Sequence, residues 1–243
     1  HKALTYPRTD SRALPEDYLP TVQSTLGTLQ EDRAYGPFAR QILGKGWVRP
    51  NKRVFDNSKV SDHFAIIPTL QAPKAGGLSE AEQKVYDLVV RRFLSVFFPA
   101  AEHLITTRVT QVEGESFKTE GKVLVNPGWL AIYGREGSAD DTLVPVKDGE
   151  RVLTSEIERL TLATKPPARY TEATLLSAME GAGKLIDDDE LREAMAEKGL
   201  GTPATRASII EGLIAENYLV REGRELVPTT KAFQLLTLLR GLG

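Results

Sequence analysis

Not one cysteine occurs in the 243 residues. That excludes disulfides, thiol chemistry and cysteine-ligated zinc, and it fits a cytoplasmic protein. No run of about 18 apolar residues is present, so no membrane-spanning helix is expected. A signal-peptide pattern is missing from the start, as are internal repeats and low-complexity tracts. Excess charge is lacking too: 31 Lys and Arg stand against 33 Asp and Glu, a net of −2. A protein that coats itself in nucleic acid through bulk charge is basic, so any such binding here must come from local sites. The chain opens at His1 inside patterned sequence, which is the expectation for a piece of a longer protein.

What is present falls into three textures, giving an α+β, multidomain expectation. Residues 1–98 read as mainly helical. The clearest helix is GLSEAEQKVYDLVVRRFLSVFFP, opened by a Ser79–Glu82 capping box and stopped by Pro99. Val85, Leu88, Val89, Phe93, Val96 and Phe97 follow helical spacing along it. Residues 40–60 are the most basic stretch of the chain.

From 99 to 163 the segments ITTRVTQV, FKTEGKVLV, WLAIY, LVPV and RVLTSEIERLTL are rich in β-branched residues. The turn signals EGES, NPG and KDGE separate them, which predicts an antiparallel barrel or arch. Pro166 and Pro167 break that pattern. Residues 164–243 then predict helices capped by Thr171 and by Thr202 with Pro203. The second carries Ile209, Ile210, Leu213 and Ile214 on one face. A hairpin turning at Gly223 and a last helix from about Thr230 complete a winged-helix-like pattern.

One short stretch carries chemistry. In LTYPRTDS, Pro7 fixes its own φ and pushes Tyr6 to an extended conformation. Residues two apart in an extended chain share a face, so Tyr6 and Arg8 converge. A forked, permanently charged guanidinium suits phosphate oxygens, and a phenol can act as a covalent nucleophile. Because a phenol is far more acidic than a sugar hydroxyl, a phosphotyrosine bond is reversible, as breaking and rejoining a strand requires. Thr9, Asp10 and Ser11 either start the following helix or contact the backbone of a strand. The bland alternative is a turn with Tyr6 packed on the surface.

LTYPRTDSRALPEDYLP resembles the active-site segment of type IA DNA topoisomerases, most of all topoisomerase III. SDHFAIIPT resembles the family's His-x-Ala-Ile-x-Pro segment. PPARYTEATLLSAME with GLGTPATRASIIEGLI resembles its DNA-gripping helical domain. The three stand in the family's order across residues 4–219. The resemblance implies that Tyr6 forms a 5′-phosphotyrosine with single-stranded DNA and that Arg8 holds the scissile phosphate. It further implies that His63 approaches a nearby phosphate, and that Arg169, Thr202, Thr205 and Arg206 grip the strand, with Asp10 and Ser11 beside it. The three textures become a tyrosine-bearing helical domain (1–98), a partial β hinge (99–163) and a winged-helix-like DNA-binding domain (164–243).

The family's magnesium is expected in the complete enzyme only, on acids of an α/β domain that this chain lacks, so no metal ligand is expected here. Asp187–Glu190 reads instead as a solvated helix start with favourable dipole placement. A RecQ-like helicase partner and a nucleoid-associated bacterial enzyme, inactive as this fragment alone, complete what the resemblance implies. Two other classes stay open on the residues: a non-catalytic winged-helix DNA-binding module, and a different tyrosine strand-transferase linked to the 3′ end.

Overall fold

The computed structural model describes every residue except 61, 75, 135–142, 186–188, 197–198 and 242–243. The chain divides into two compact units, His1–Arg159 and Leu160–Gly243.

Helices α1 (Leu19–Leu29), α2 (Gly36–Gly44) and α3 (Glu80–Phe97) build the first unit. Helix α3 starts at its capping box: the Ser79 hydroxyl accepts from the Glu82 N–H, and the Glu82 carboxylate accepts the Ser79 N–H at 2.8 Å. Its buried stripe is Tyr86, Val90, Phe93, Leu94 and Phe97. Val85, Leu88 and Val96, which the apolar spacing also selects, face solvent. The stripe is rotated because Tyr86 and Leu94 remove more apolar surface from water than the valines would, and the Tyr86 ring meets Tyr35 edge-on at 6.3 Å. Val22, Leu26 and Leu29 of α1 and Ala39 and Ile42 of α2 complete the core.

Two strands follow. Strands β1 (Glu102–Val112) and β2 (Glu115–Asn126) form an antiparallel ribbon. Its two-residue turn, Glu113–Gly114, has φ of 50° and 88°, the primed type whose twist matches the strands. The ribbon returns to the helices through a 3-10 turn, Gly128–Tyr133. Here the structure corrects the sequence expectation of a WLAIY strand. Gly128 sits at φ +48° with its Cα so close to the Ala100 carbonyl that a Cβ would lie 2.4 Å from the oxygen. The Trp129 N–H donates to Pro99 and the Leu130 N–H to Pro127, so the donors a strand would need are spent locally.

That turn is clamped to the helices by a polar chain. The Tyr35 phenol donates to Asp87 at 2.9 Å, Arg91 Nε donates to both Asp87 oxygens at 2.8 Å, and Arg91 Nη1 donates to the Ile132 carbonyl. Burial first, then the hydrogen bond to Asp87, pushes the Tyr35 phenol up, which keeps it a neutral donor.

The expected strands LVPV and RVLTSEIERLTL do not form. Residues 151–170 carry no strand and are exposed throughout. A β-branched run becomes a strand only when a neighbouring backbone accepts its hydrogen bonds, and among the described residues β1 and β2 pair only with each other. The barrel or arch expected over 102–163 is thus a two-stranded ribbon over 102–126.

In the second unit, α4 (Glu172–Glu180), α5 (Asp189–Ala196) and α6 (Arg206–Ala215) precede a hairpin of β3 (Leu219–Glu222) and β4 (Glu225–Pro228), and α7 (Thr230–Arg240) ends it. Hairpin and last helix stand where the sequence predicts them. Thr171 and Thr174 cap α4 reciprocally, and Thr229 caps α7. The core is small: Met179, Ile210 and Leu226, with Leu175, Leu176 and Ile214 against them. Ile209 and Leu213, expected on the same apolar face, stay exposed. Arg221 of β3 ties the hairpin to Glu172 of α4 and Glu211 of α6. Asp187 and Asp188, part of the acidic run, lie outside the described residues, and Asp189 pairs with Arg192.

Ile132 is fully buried where the turn meets the helical core. Ile132→Ala is expected to destabilise the first unit by about 2–5 kcal/mol, read as a lower urea midpoint with an unchanged m-value.

Candidate active site

The opening segment is stitched into the first unit by main-chain and hydroxyl bonds. Leu4 bridges Pro68 in antiparallel fashion, and the Thr5 N–H donates to the Ile67 carbonyl at 2.9 Å. The Thr5 hydroxyl accepts the Ile67 N–H at 2.9 Å and donates to the Ala65 carbonyl at 3.3 Å. Further along, the Ala65 N–H donates to Ala13, the Leu14 N–H to Val54, and the Asp56 N–H to Leu14. Buried Ala3, Ala13 and Leu14 lock this frame onto the core. β-Branched Thr5 supplies both a strand-compatible backbone and the hydroxyl that closes the stitch.

Between these ties Tyr6 stands 53% exposed. Its ring lies 4.7 Å from that of His63, tilted by 42°. The structure thus brings together two residues 57 positions apart that the sequence reading had singled out separately.

Arg8 is placed differently from the expectation. The chain bends at Pro7, and the Thr9 N–H closes on the Pro7 carbonyl at 3.1 Å. The extended geometry therefore ends at the tyrosine, and Arg8 occupies the apex of a three-residue turn. It is exposed, and among the described residues no hydrogen bond or ion pair occupies its guanidinium.

Thr9, Asp10 and Ser11 do not start a helix; the first helical turn is Glu16–Tyr18. The Thr9 hydroxyl donates to the His63 carbonyl at 3.3 Å and accepts from the Ser11 N–H at 3.0 Å. The Ser11 hydroxyl donates to the Lys59 carbonyl at 2.7 Å and accepts from the Ala13 N–H at 3.1 Å. Both hydroxyls are therefore spent on positioning, while Asp10 is exposed.

Sequence reasoning missed what holds Lys59 in place. Asp56 accepts from the Ser58 N–H at 3.2 Å and from the Ser58 hydroxyl at 2.7 Å, and pairs with Lys59 at 2.9 Å. These bonds, the Ser58 hydroxyl foremost, lower the buried Asp56 carboxyl to about 2. The signal was the local pattern Asp56-Asn57-Ser58, a side chain accepting from the backbone two residues on.

In the second unit the predicted residues separate. Arg169 is exposed beside Tyr170, whose carbonyl accepts the Leu226 N–H of β4 at 2.7 Å. Thr202 and Thr205 lie by the other end of α4, where the Leu200 N–H donates to Met179 at 2.7 Å. The nine residues of α4 put roughly 13 Å between these two places. The Thr205 hydroxyl accepts the Thr202 N–H at 2.9 Å, and the Thr202 carbonyl accepts from Arg206 at 3.0 Å. The regular helix begins at Arg206 rather than at Pro203, one turn later than the sequence predicts.

Arg206 is 9% exposed and turned inward: Nε donates to the Leu200 carbonyl and Nη2 to the Gly201 carbonyl, each at 3.2 Å. It braces the loop that presents Thr202. Among the described residues, no three Asp, Glu or His side chains gather into a cation site, and no helix is long and apolar enough to cross a membrane.

A tyrosine held outward on a stitched strand, an unoccupied arginine two residues on and a histidine ring against the phenol define a candidate centre for phosphodiester chemistry. Comparison with known proteins gives the class: the DNA topoisomerase family model matches residues 1–242, and the chain belongs to that family. Its similarity is to topoisomerase 3 in particular. It is 39% identical over 248 residues to DNA topoisomerase 3 of Bacillus subtilis (strain 168), covering 98% of this chain and 34% of the relative. It is 41% identical over 249 residues to DNA topoisomerase 3 of Bacillus cereus (strain ATCC 14579), with the same coverage. The chain thus spans about a third of the length of these relatives. The fold is similar to full-length topoisomerase I of Thermotoga maritima, with a TM-score of 0.61 at 22% identity over 98% of this chain and 35% of that one. The resemblance to type IA topoisomerases, and most to topoisomerase III, is borne out.

Two outcomes follow from the geometry. A carboxyl lowered by folding contributes stability above its ordinary range, near pH ~4, and that contribution is lost as the pH falls toward 2. Asp56→Asn is therefore expected to melt lower than wild type at pH 7, with the gap narrowing between pH 4 and 2 in thermal scans. Arg206→Ala is expected to release the 199–202 loop: hydrogen exchange should accelerate at the Leu200 and Arg206 amides and stay unchanged in α7.

Proposed function

We propose that this chain is the strand-breaking and strand-gripping part of a topoisomerase III-like enzyme acting on single-stranded DNA. The observation that carries the reading is the exposed Tyr6 phenol, fixed by Thr5 and Thr9 against the His63 segment in a chain of this family.

The Tyr6 oxygen attacks the phosphorus of one DNA strand. A bond forms between the phenol oxygen and the 5′ phosphate, the bond to the 3′ oxygen breaks, and the phenol proton leaves as the 3′ oxygen takes one up. The free energy of the phosphodiester is kept in the phosphotyrosine, so the 3′ hydroxyl can attack in turn and reseal the strand without ATP. Arg8 supports this because its unpaired fork can take the phosphate oxygens as charge builds on them. The His63 ring packs at a tilt against the phenol ring and limits the directions in which its oxygen can point.

In this reading residues 1–98 form the catalytic helical domain, 99–163 the hinge and 164–243 a winged-helix-like DNA-binding domain. Arg169, Thr202 and Thr205 contact the strand, and Asp10 lies beside the cut. Ser11 and Arg206 act by holding the segments that make those contacts. The magnesium and RecQ-like helicase that the resemblance implies belong to the complete protein, with ligands and contacts outside this chain. A cytoplasmic, nucleoid-associated location follows from the same reading.

Tyr6→Phe in the complete protein is expected to abolish the covalent DNA adduct while single-strand affinity changes less than about threefold. Adduct trapping on a 5′-labelled and a 3′-labelled oligonucleotide checks this and reports the polarity. An adduct formed by Tyr6→Phe, or none formed by wild type, overturns the assignment and leaves a non-catalytic DNA-binding module.

A further inference from the structure

Asp56 is the one buried carboxylate among the described residues, 7% exposed, and no step of the proposed chemistry uses it. Taking a carboxylate out of water is unfavourable unless its acceptor sites are filled. Here one turn fills them. Asp56 caps the 3-10 turn Asn57–Lys59 by accepting from the Ser58 N–H and hydroxyl, and its second oxygen pairs with the exposed Lys59 ammonium.

That turn is the surface against which residues 11–16 are laid. At one end the Lys59 carbonyl accepts the Ser11 hydroxyl at 2.7 Å. At the other the Asn57 Oδ1 accepts the Glu16 N–H at 3.0 Å. Between them the Asp56 N–H donates to the Leu14 carbonyl at 2.9 Å, and the Leu14 N–H to the Val54 carbonyl at 2.8 Å.

From Ser11 the bonds run on toward the phenol. The Ser11 N–H donates to the Thr9 hydroxyl at 3.0 Å. Thr9 then branches: its hydroxyl donates to the His63 carbonyl at 3.3 Å, and its N–H to the Pro7 carbonyl at 3.1 Å. Pro7 adjoins Tyr6, and the His63 ring packs against the Tyr6 ring. The side chains of Asp56, Ser11 and Thr9 therefore connect the buried turn to both partners of that aromatic contact. A displaced Lys59 carbonyl would release both branches together.

We propose that Asp56 is a positioning residue for strand breakage, fixing through the Asn57–Lys59 turn and Ser11 where the Tyr6 phenol stands relative to His63. This role rests on the strand-breaking reading above. Attack on phosphorus requires the phenol oxygen in line with the leaving oxygen, so a small displacement falls on the rate of cleavage rather than on affinity for the strand. Asn at position 56 would keep an acceptor for Ser58 but turn an amide N–H toward the Lys59 ammonium.

The test uses the complete protein, below its melting range, with each variant shown to be folded by circular dichroism. Adduct formation is followed in a single turnover on a saturating single-stranded oligonucleotide, and affinity is measured separately. Asp56→Asn and Ser11→Ala are each expected to slow the adduct by about tenfold while Kd stays within about twofold. Combined, they should be no slower than the worse single variant, because both act on one bond. Ser11→Thr retains the hydroxyl and should retain most of the rate. Ile132→Val loosens the same unit away from the turn and should leave the rate unchanged. A second readout needs no activity: in protein labelled with 3-fluorotyrosine, the Tyr6 resonance, assigned by its loss in Tyr6→Phe, is expected to move toward the solvent-exposed value in Asp56→Asn and Ser11→Ala but not in Ser11→Thr. If wild type forms no adduct, the strand-breaking reading fails, and the fluorine resonance still judges whether the turn places the phenol. A wild-type rate in Asp56→Asn, an equal loss in Ile132→Val, a double variant slowed by the product of the single effects, or an unmoved resonance overturns the proposal.

Discussion

The stitch between residues 3–14 and residues 54–69 governs the rest of the first unit. Without it the opening segment would be an exposed tail, since α1 begins only at Leu19. Thr5, Thr9 and Ser11 each spend a hydroxyl on a carbonyl or amide of a distant segment. A phenol on a floppy tail would sample many directions, and the cost of fixing it would fall on each encounter with substrate. Here that cost is met during folding. Asp56 extends the same constraint one layer further, holding Lys59 in place so that its carbonyl can hold Ser11.

Polar groups in the two units divide into those that position and those left available. Arg91, Arg206 and Arg221 are engaged with carbonyls or carboxylates and tie loops and hairpins to helices. Arg8, Lys45, Arg53 and Arg169 are exposed. Arginine suits the first task because its flat fork satisfies two acceptors at once, as on Leu200 and Gly201. Nothing in the local sequence distinguishes the two groups. Arg206 and Arg169 both lie next to helix starts, yet one guanidinium is buried and the other stands in solvent.

That contrast marks how far the sequence is legible. Local devices with short range were readable: the Ser79–Glu82 box, the Thr171 cap and the Gly223 hairpin are decided within a few residues. The contact between the Tyr6 and His63 rings follows from neither of their motifs. Features set by distant partners were unreadable. WLAIY looks like a strand until Gly128 is pressed against Ala100 and Arg91 captures the Ile132 carbonyl. RVLTSEIERLTL has strand composition, but composition does not supply a neighbouring backbone. The rotation of the α3 stripe depended on Tyr86 meeting Tyr35, and the bend at Pro7 on one hydrogen bond from the Thr9 N–H to the Pro7 carbonyl, across Arg8.

The β1–β2 ribbon carries a different liability. Eleven rungs long, with Leu104, Ile105, Val109, Phe117 and Val125 exposed, it presents apolar side chains beside outer edges that no other strand pairs with among the described residues. Such an edge is a template for strands of other molecules. Charges interrupt it: Arg108 falls within ITTRVTQV, and Lys118, Glu120 and Lys122 break up β2. They act as gatekeepers, because another copy docking edge-on would have to desolvate them. Neutralising them to strengthen the strands would raise β-propensity and, by the same step, turn the ribbon into a seed for aggregation.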